Sequence, residues 1–172
     1  MKSIVVTLRG TDRPGLVKLV SDCAMSFGAN WADSVMANFA GQFCGAIHLE
    51  IQDAKAAELA AALNAISSSS LKVEAICVDR PMQFAGKTVR LELVGNDRPG
   101  IVNTISNQLA LHGANIVKMN TAISSAPMSG GSLFSVQATI VLDEKSDTQK
   151  LQAALEGLAD ELMVDLTLES AT

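Results

Sequence analysis

The chain opens with Ile4, Val6 and Leu8 alternating with less apolar neighbours over Ser3–Arg9, the period-two pattern of a half-buried strand. After Asp12-Arg13-Pro14-Gly15 the period lengthens. Leu16, Val20, Ala24 and Phe27 recur at helical spacing and lay one apolar stripe along a helix. Gly28 supplies the stop, because glycine takes the left-handed helix-ending conformation without strain. Two strands follow, over Trp31–Phe39 and Gln42–Gln52. Leu59, Leu63 and Ile66 then mark a second helix, and Lys72–Val78 a last strand. The same succession starts again at Lys87–Val94. A helix carries Ile101, Ile105 and Leu109 and stops at Gly113. Strands over Ile116–Ser124 and Leu133–Leu142 come next, then a helix with Leu151, Leu155, Leu158 and Leu162, and a strand over Met163–Leu168.

Identity accompanies this recurrence of pattern. Residues 10–30, GTDRPGLVKLVSDCAMSFGAN, and 95–115, GNDRPGIVNTISNQLALHGAN, agree at ten of twenty-one positions at a constant offset of 85. Leu59, Leu63 and Ile66 match Leu151, Leu155 and Leu158 at an offset of 92, so the second copy carries about seven extra residues. Ser124–Ser132, rich in serine and glycine, accounts for most of that insertion as a hairpin connection. Each copy reads β-α-β-β-α-β. That order predicts an α+β fold of two ferredoxin-like units, each an antiparallel sheet with its two helices on one face. The units are placed at 1–80 and 87–172, joined by a linker at 81–86. Asp79-Arg80-Pro81 resembles the helix-start motif, but Met82 stands where the glycine would be and no helical stripe follows.

Charge narrows the function. Thirteen Lys and Arg against eighteen Asp and Glu give −5 overall, with −1 on residues 1–86 and −4 on 87–172. That balance disfavours direct contact with nucleic acid, whose binding rests on neutralising phosphates. Asp160, Glu161, Asp165 and Glu169 read as a solvated acidic surface. Cys23, Cys44 and Cys77 are odd in number and widely spaced, which fits buried thiols in a reducing cytosol rather than disulfides or a zinc site. With no leader pattern after Met1 and no apolar run of spanning length, the sequence reads as cytoplasmic, without a membrane partner. No phosphate-cradling, metal-pair or nucleophile-elbow motif is present, and His48 and His112 each occur in one copy only. The expectation is a non-enzyme with no catalytic residues, no metal and no cofactor.

The duplicated motif is the candidate chemistry. Backbone N–H groups at Gly15–Leu16 and Gly100–Ile101 open a helix, where an anion is favoured, and glycine allows close approach. Asp12 or Asp97 offers a carboxylate to an ammonium, and Asn30 or Asn115 donates and accepts together. Arg13 and Arg98 are read as outward-facing. A purely structural reading keeps the same letters: Asp capping the helix, Pro14 or Pro99 in its first turn, glycine shaping the bend and asparagine tolerating a left-handed backbone. Trp31, the only tryptophan, follows Asn30 as a packing residue near the sheet edge and is expected to report on the site.

A strand leading into Asp-Arg-Pro-Gly-aliphatic-Val, a helix, then Gly-Ala-Asn before the next strand resembles the ACT domain, and the resemblance covers about residues 3 to 169 in two copies. With no catalytic segment attached, the chain most resembles the glycine cleavage system transcriptional repressor family. The resemblance implies amino-acid sensing and control of transcription through a partner, a transcription activator, which itself contacts DNA. Glycine is the leading ligand. It further implies edge-to-edge pairing of ACT units, within the chain or in a homo-oligomer, and allosteric regulation through that pairing. The implied ligand contacts are Asp12, Arg13, Pro14, Gly15, Leu16 and Asn30, with Asp97, Arg98, Pro99, Gly100, Ile101 and Asn115. The competing expectation is an ACT scaffold or oligomerisation module that binds no ligand.

Overall fold

The computed structural model describes residues 1–79, 86–125, 131–143 and 146–170. The chain divides into two compact units, Met1–Met82 and Gln83–Thr172. The first comprises β1 (Lys2–Thr11), α1 (Leu16–Ser26), β2 (Asn30–Phe39), β3 (Gln42–Ile51), α2 (Asp53–Ala65) and β4 (Leu71–Val78). The second comprises β5 (Lys87–Asn96), α3 (Ile101–Leu111), β6 (Ala114–Ser125), β7 (Ser132–Leu142), α4 (Thr148–Leu162) and β8 (Val164–Ser170). Both sheets are antiparallel, in the order β2-β3-β1-β4 and β6-β7-β5-β8. The expected α+β fold of two βαββαβ units is therefore the fold adopted. Residues 80–85, which include most of the expected linker, and 126–130, most of the expected insertion, lie outside the described residues.

The alternation read from the sequence is the alternation that is buried. Ile4, Val6 and Leu8 of β1 meet Leu16, Val20 and Ala24 of α1, Ile47, Leu49 and Ile51 of β3, and Leu59 and Leu63 of α2 in one core. Val89, Leu91 and Leu93 repeat the arrangement with Ile101, Ile105, Leu109, Leu151, Leu155 and Leu158. Each fully buried aliphatic side chain contributes about 1.5–3 kcal/mol, which is how a unit of this size offsets its ordering entropy. Gly28 and Gly113 take φ of 75° and 68° and end α1 and α3. At α1 the closure is a Schellman pair, Ala29 N–H donating to Ala24 C=O and Gly28 N–H to Met25 C=O. Met163 differs from the strand residue expected: it caps α4 with φ 51° and is exposed, so β8 begins one residue later.

The outer edge of β4 is closed by side chains. Asn64 Nδ2 donates to Ala75 C=O (3.1 Å) and Asn64 Oδ1 accepts from Ala75 N–H (2.9 Å). Ser67 Oγ does the same for Val73, at 3.0 and 2.9 Å. Backbone groups that would otherwise offer themselves to another strand are thus occupied. No helix among the described residues is long and apolar enough to cross a membrane.

Candidate functional site

Pro14 and Gly15 precede α1 rather than forming its first turn, and Pro99 and Gly100 stand likewise before α3. Gly15 (φ 94°, ψ −1°) and Gly100 (φ 99°, ψ −12°) adopt the values of the third residue of a type II turn, with proline in its favoured second place. Only glycine accepts that backbone readily, and a Cβ there would meet nothing within 4 Å, so dihedral angle rather than crowding selects it. Gly15 and Gly100 C=O accept the first helical bonds, from Leu19 and Thr104. Neither helix start receives a side-chain cap. Among the described residues, the first N–H groups of Leu16–Lys18 and Ile101–Asn103 thus receive no side-chain cap at the positive end of a helix, the electrostatic setting for an anion.

The expectation that Asp12 and Asp97 cap these helices is corrected. Asp12 accepts from Asn38 Nδ2 near the end of β2, its N–H donates to Gly41 C=O (3.0 Å), and Gly41 N–H donates to Asn38 Oδ1 (3.1 Å). Ala40 (φ 51°) and Gly41 (φ 82°) make the two-residue β2–β3 hairpin, so the Asp12 carboxylate belongs to a hairpin network. The backbone half recurs in the second unit, where Asp97 N–H donates to Ser132 C=O (2.9 Å). The side-chain half does not. The register that sets Asn38 opposite Phe43 sets Ile123 opposite Phe134, and isoleucine has no donor to give Asp97. The outward reading of the arginines holds for Arg13, which is exposed, and fails for Arg98, which is half-buried with Nη2 sealed from solvent and, among the described residues, without a hydrogen-bond partner.

The asparagines lie elsewhere. Asn30 pairs with Glu50, which pairs with Ser3, whereas the Asp12 loop follows Thr11. Eight residues of β1 separate those levels, on the order of 25 Å at about 3.3 Å per residue. Asn115, level with Val141 and Thr88, is equally far from the loop that follows Asn96. One unit therefore brings Asp12 to Leu16 together but leaves Asn30 at the opposite end of its sheet, and the second unit does the same with Asp97 to Ile101 and Asn115. Trp31, level with Leu49 and Ile4 and packed against the core, is a packing residue at that far end and no direct reporter on the Gly15 loop.

Two repeated residues that sequence reasoning left unexplained are Gly10 and Gly95. A Cβ on Gly10 would stand 2.4 Å from Ser70 C=O, and one on Gly95 2.3 Å from a Val164 methyl. Both mark where the last strand of the unit crosses the first at close quarters. Their duplication in the sequence was the available signal. His48 Nε2 lies 2.9 Å from Ser3 Oγ, and His112 Nδ1 2.9 Å from Gln108 C=O at the end of α3, two unrelated structural settings. Among the thiols, Cys23 and Cys44 are half-buried and Cys77 is exposed, so uniform burial is not found. Burial pushes the Cys23 thiol up from its ordinary value.

This geometry has relatives. The model of the ACT domain matches residues 2–74 and again 87–169. No curated protein matches the chain significantly. An unknown protein from Galdieria sulphuraria, solved by crystallography, is 28% identical over 99% of each chain with a TM-score of 0.84. The crystal structure of a proposed glycine cleavage system transcriptional repressor shares the fold, with 19% identity, coverage of 99% of this chain and 98% of that one, and a TM-score of 0.68. Duplicated motif, element order, sheet topology and the two matched segments agree, and the chain belongs to the ACT-domain family, with one domain in each of its two units.

Proposed function

We propose that this protein is an amino-acid-responsive regulator that acts on transcription through contact with an activator protein, with the glycine cleavage system as its target and glycine as the leading ligand. The observation that carries this reading is the duplicated, uncapped helix start: free N–H groups, an αL glycine with open space around it, and an aspartate three residues before the glycine. An α-amino acid has a carboxylate for the first and an ammonium for the last. The distance between each loop and the asparagine of its own unit sets Asn30 and Asn115 apart from the loop contacts, so the reading rests on the loops, and the ligand regulates by binding one state of the chain more tightly than another. That differential affinity is what turns binding into regulation. Likeness in fold to the proposed repressor supports the choice of target, and the −5 net charge supports action through a partner rather than on DNA.

The test is thermal melting of the full chain across the twenty amino acids. A saturable rise for glycine or a small set of amino acids is expected, growing as RT ln(1 + [L]/Kd), about 2.7 kcal/mol at a hundredfold excess over Kd. A flat panel refutes sensing and leaves the scaffold reading in its place.

A further inference from the structure

An antiparallel sheet with its helices on one face turns the other to solvent, and that face is ordinarily polar. The second unit conforms. On the side of its sheet away from α3 and α4, Arg90 stands opposite Glu169, and Gln137, between Glu92 and Asn120, donates to Glu92 (3.5 Å). The first unit does not. By register, Val5 takes the place of Arg90, Ile76 that of Glu169, Ala46 that of Gln137 and Val35 that of Asn120. Val35 and Ile76 are 57% and 53% exposed. Four neighbouring positions that are polar in one copy of the repeat are thus apolar in the other, and a contiguous exposed apolar patch marks an interaction surface.

Charges on the same face indicate what covers it. Arg9 and Lys72 stand directly opposite each other toward one end of the strands, while Glu50 and Asp33 lie toward the other end. Among the described residues no ion pair engages any of the four, and like charges opposed across a ladder are costly unless something offsets them. The apolar residues lie between the two ends, with Glu74 at the β4 margin and His48 engaged with Ser3 (2.9 Å). A face that is basic at one end and acidic at the other is its own complement after a half-turn. Four strands at about 4.8 Å and eight residues at about 3.3 Å span roughly 500 Å². Two such faces bury roughly 1,000 Å², the scale of a specific but reversible contact.

We propose that this face is a dimer interface for a second copy of the chain, the two sheets lying face to face about a two-fold axis that runs across the strands. Val5, Val35, Ala46 and Ile76 of the two copies then pack together, and Arg9 and Lys72 of each meet Glu50 and Asp33 of the other. This pairing is distinct from the edge-to-edge pairing that the family resemblance implies and independent of amino-acid sensing, so either can fail without the other.

Sedimentation equilibrium of the full chain tests it. The wild-type chain, 18.0 kDa, should dimerise reversibly at micromolar concentration. I76E combined with V35N, substitutions that install what the second unit already carries at those places, should raise the dissociation constant about 100-fold through the loss of two aliphatic side chains per copy. R9E/K72E and D33K/E50K should each be monomeric alone, because like-charged ends then meet, and should form a one-to-one dimer when mixed. Trp31 fluorescence checks that each variant is folded; if I76E/V35N is not, the mixing of the two charge variants decides alone. A wild-type chain that stays monomeric at several hundred micromolar overturns the proposal, whether the face is bare or another part of the chain covers it. A dimer that survives I76E/V35N, or charge variants that do not pair on mixing, overturns it equally.

Discussion

Asn64→Ala removes both hydrogen bonds that close the β4 edge at Ala75, and its cost can be worked from the structure. Ala75 is buried, and its N–H and C=O are the two groups that the amide holds at 2.9 and 3.1 Å. A typical intramolecular hydrogen bond is worth about 0.5–1.5 kcal/mol net, so the pair supplies about 1–3 kcal/mol. Water can re-enter at an edge strand, which places the expectation in the lower half of that span. Trp31 is the only tryptophan, the chain has no tyrosine, and its ring packs on the first core, so fluorescence follows that unit alone through a urea titration. With m about 1 kcal/mol/M for a unit of this size, the midpoint should fall by roughly 1 M. Exchange of the Ala75 amide should quicken in parallel. Asn64→Asp should recover only part of the loss, since a carboxylate accepts from Ala75 N–H but has nothing to donate to its C=O. Glu156, the matching position in α4, accepts from Gln152 instead (3.0 Å), so removing its side chain should leave β8 untouched. An unchanged midpoint together with unchanged Ala75 protection in Asn64→Ala would refute the claim that this side chain closes the edge.

Further expectations concern backbone, cap, core and charge. Gly10→Ala drives a Cβ against Ser70 C=O and should cost about 1–3 kcal/mol in the Trp31-detected transition, whereas Gly15→Ala meets no atom and should cost only the αL penalty of about 1–2 kcal/mol; equal effects with unaltered β1–β4 contacts by NMR would contradict the close-crossing account. Asp147 caps α4 by accepting from Gln149 and Lys150 N–H, and chiefly the Lys150 amide holds its carboxyl below the usual carboxylate value. A depressed folded value means the stabilisation is complete above about pH 4 and is lost as pH falls through the lower folded value; Asp147→Asn still caps but does not titrate, so the wild-type melting temperature should fall faster than that of the variant between pH 7 and pH 3. Leu59→Ala empties a fully buried position and should cost about 2–5 kcal/mol by the same fluorescence titration. The purified chain alone should give no gel shift with DNA at physiological salt, and a salt-sensitive shift at micromolar protein would overturn the inference from charge.

Most of the fold was legible in the sequence because it rests on periodicity, which is local. Ile4, Val6 and Leu8 alternate and Leu16, Val20 and Ala24 recur at helical spacing whatever surrounds them, and burying those stripes leaves few arrangements for a β-α-β-β-α-β order. The duplicated Asp-Arg-Pro-Gly likewise announced a turn before a helix, since proline and glycine carry their dihedral preferences with them. What the aspartates and arginines of that motif do was not legible, because a side chain's hydrogen bonds depend on what the fold brings beside it from elsewhere in the chain. Asp12 lies 26 residues from Asn38, and only the hairpin register sets them together. The same register puts Ile123 at the matching place in the second unit, so identical motifs acquire different partners. Sequence adjacency misled in the opposite direction for Asn30 and Trp31: α1 carries the chain from the Gly15 loop to the far end of the sheet, where β2 begins, and that separation follows from the path of the backbone, which no residue of the motif encodes.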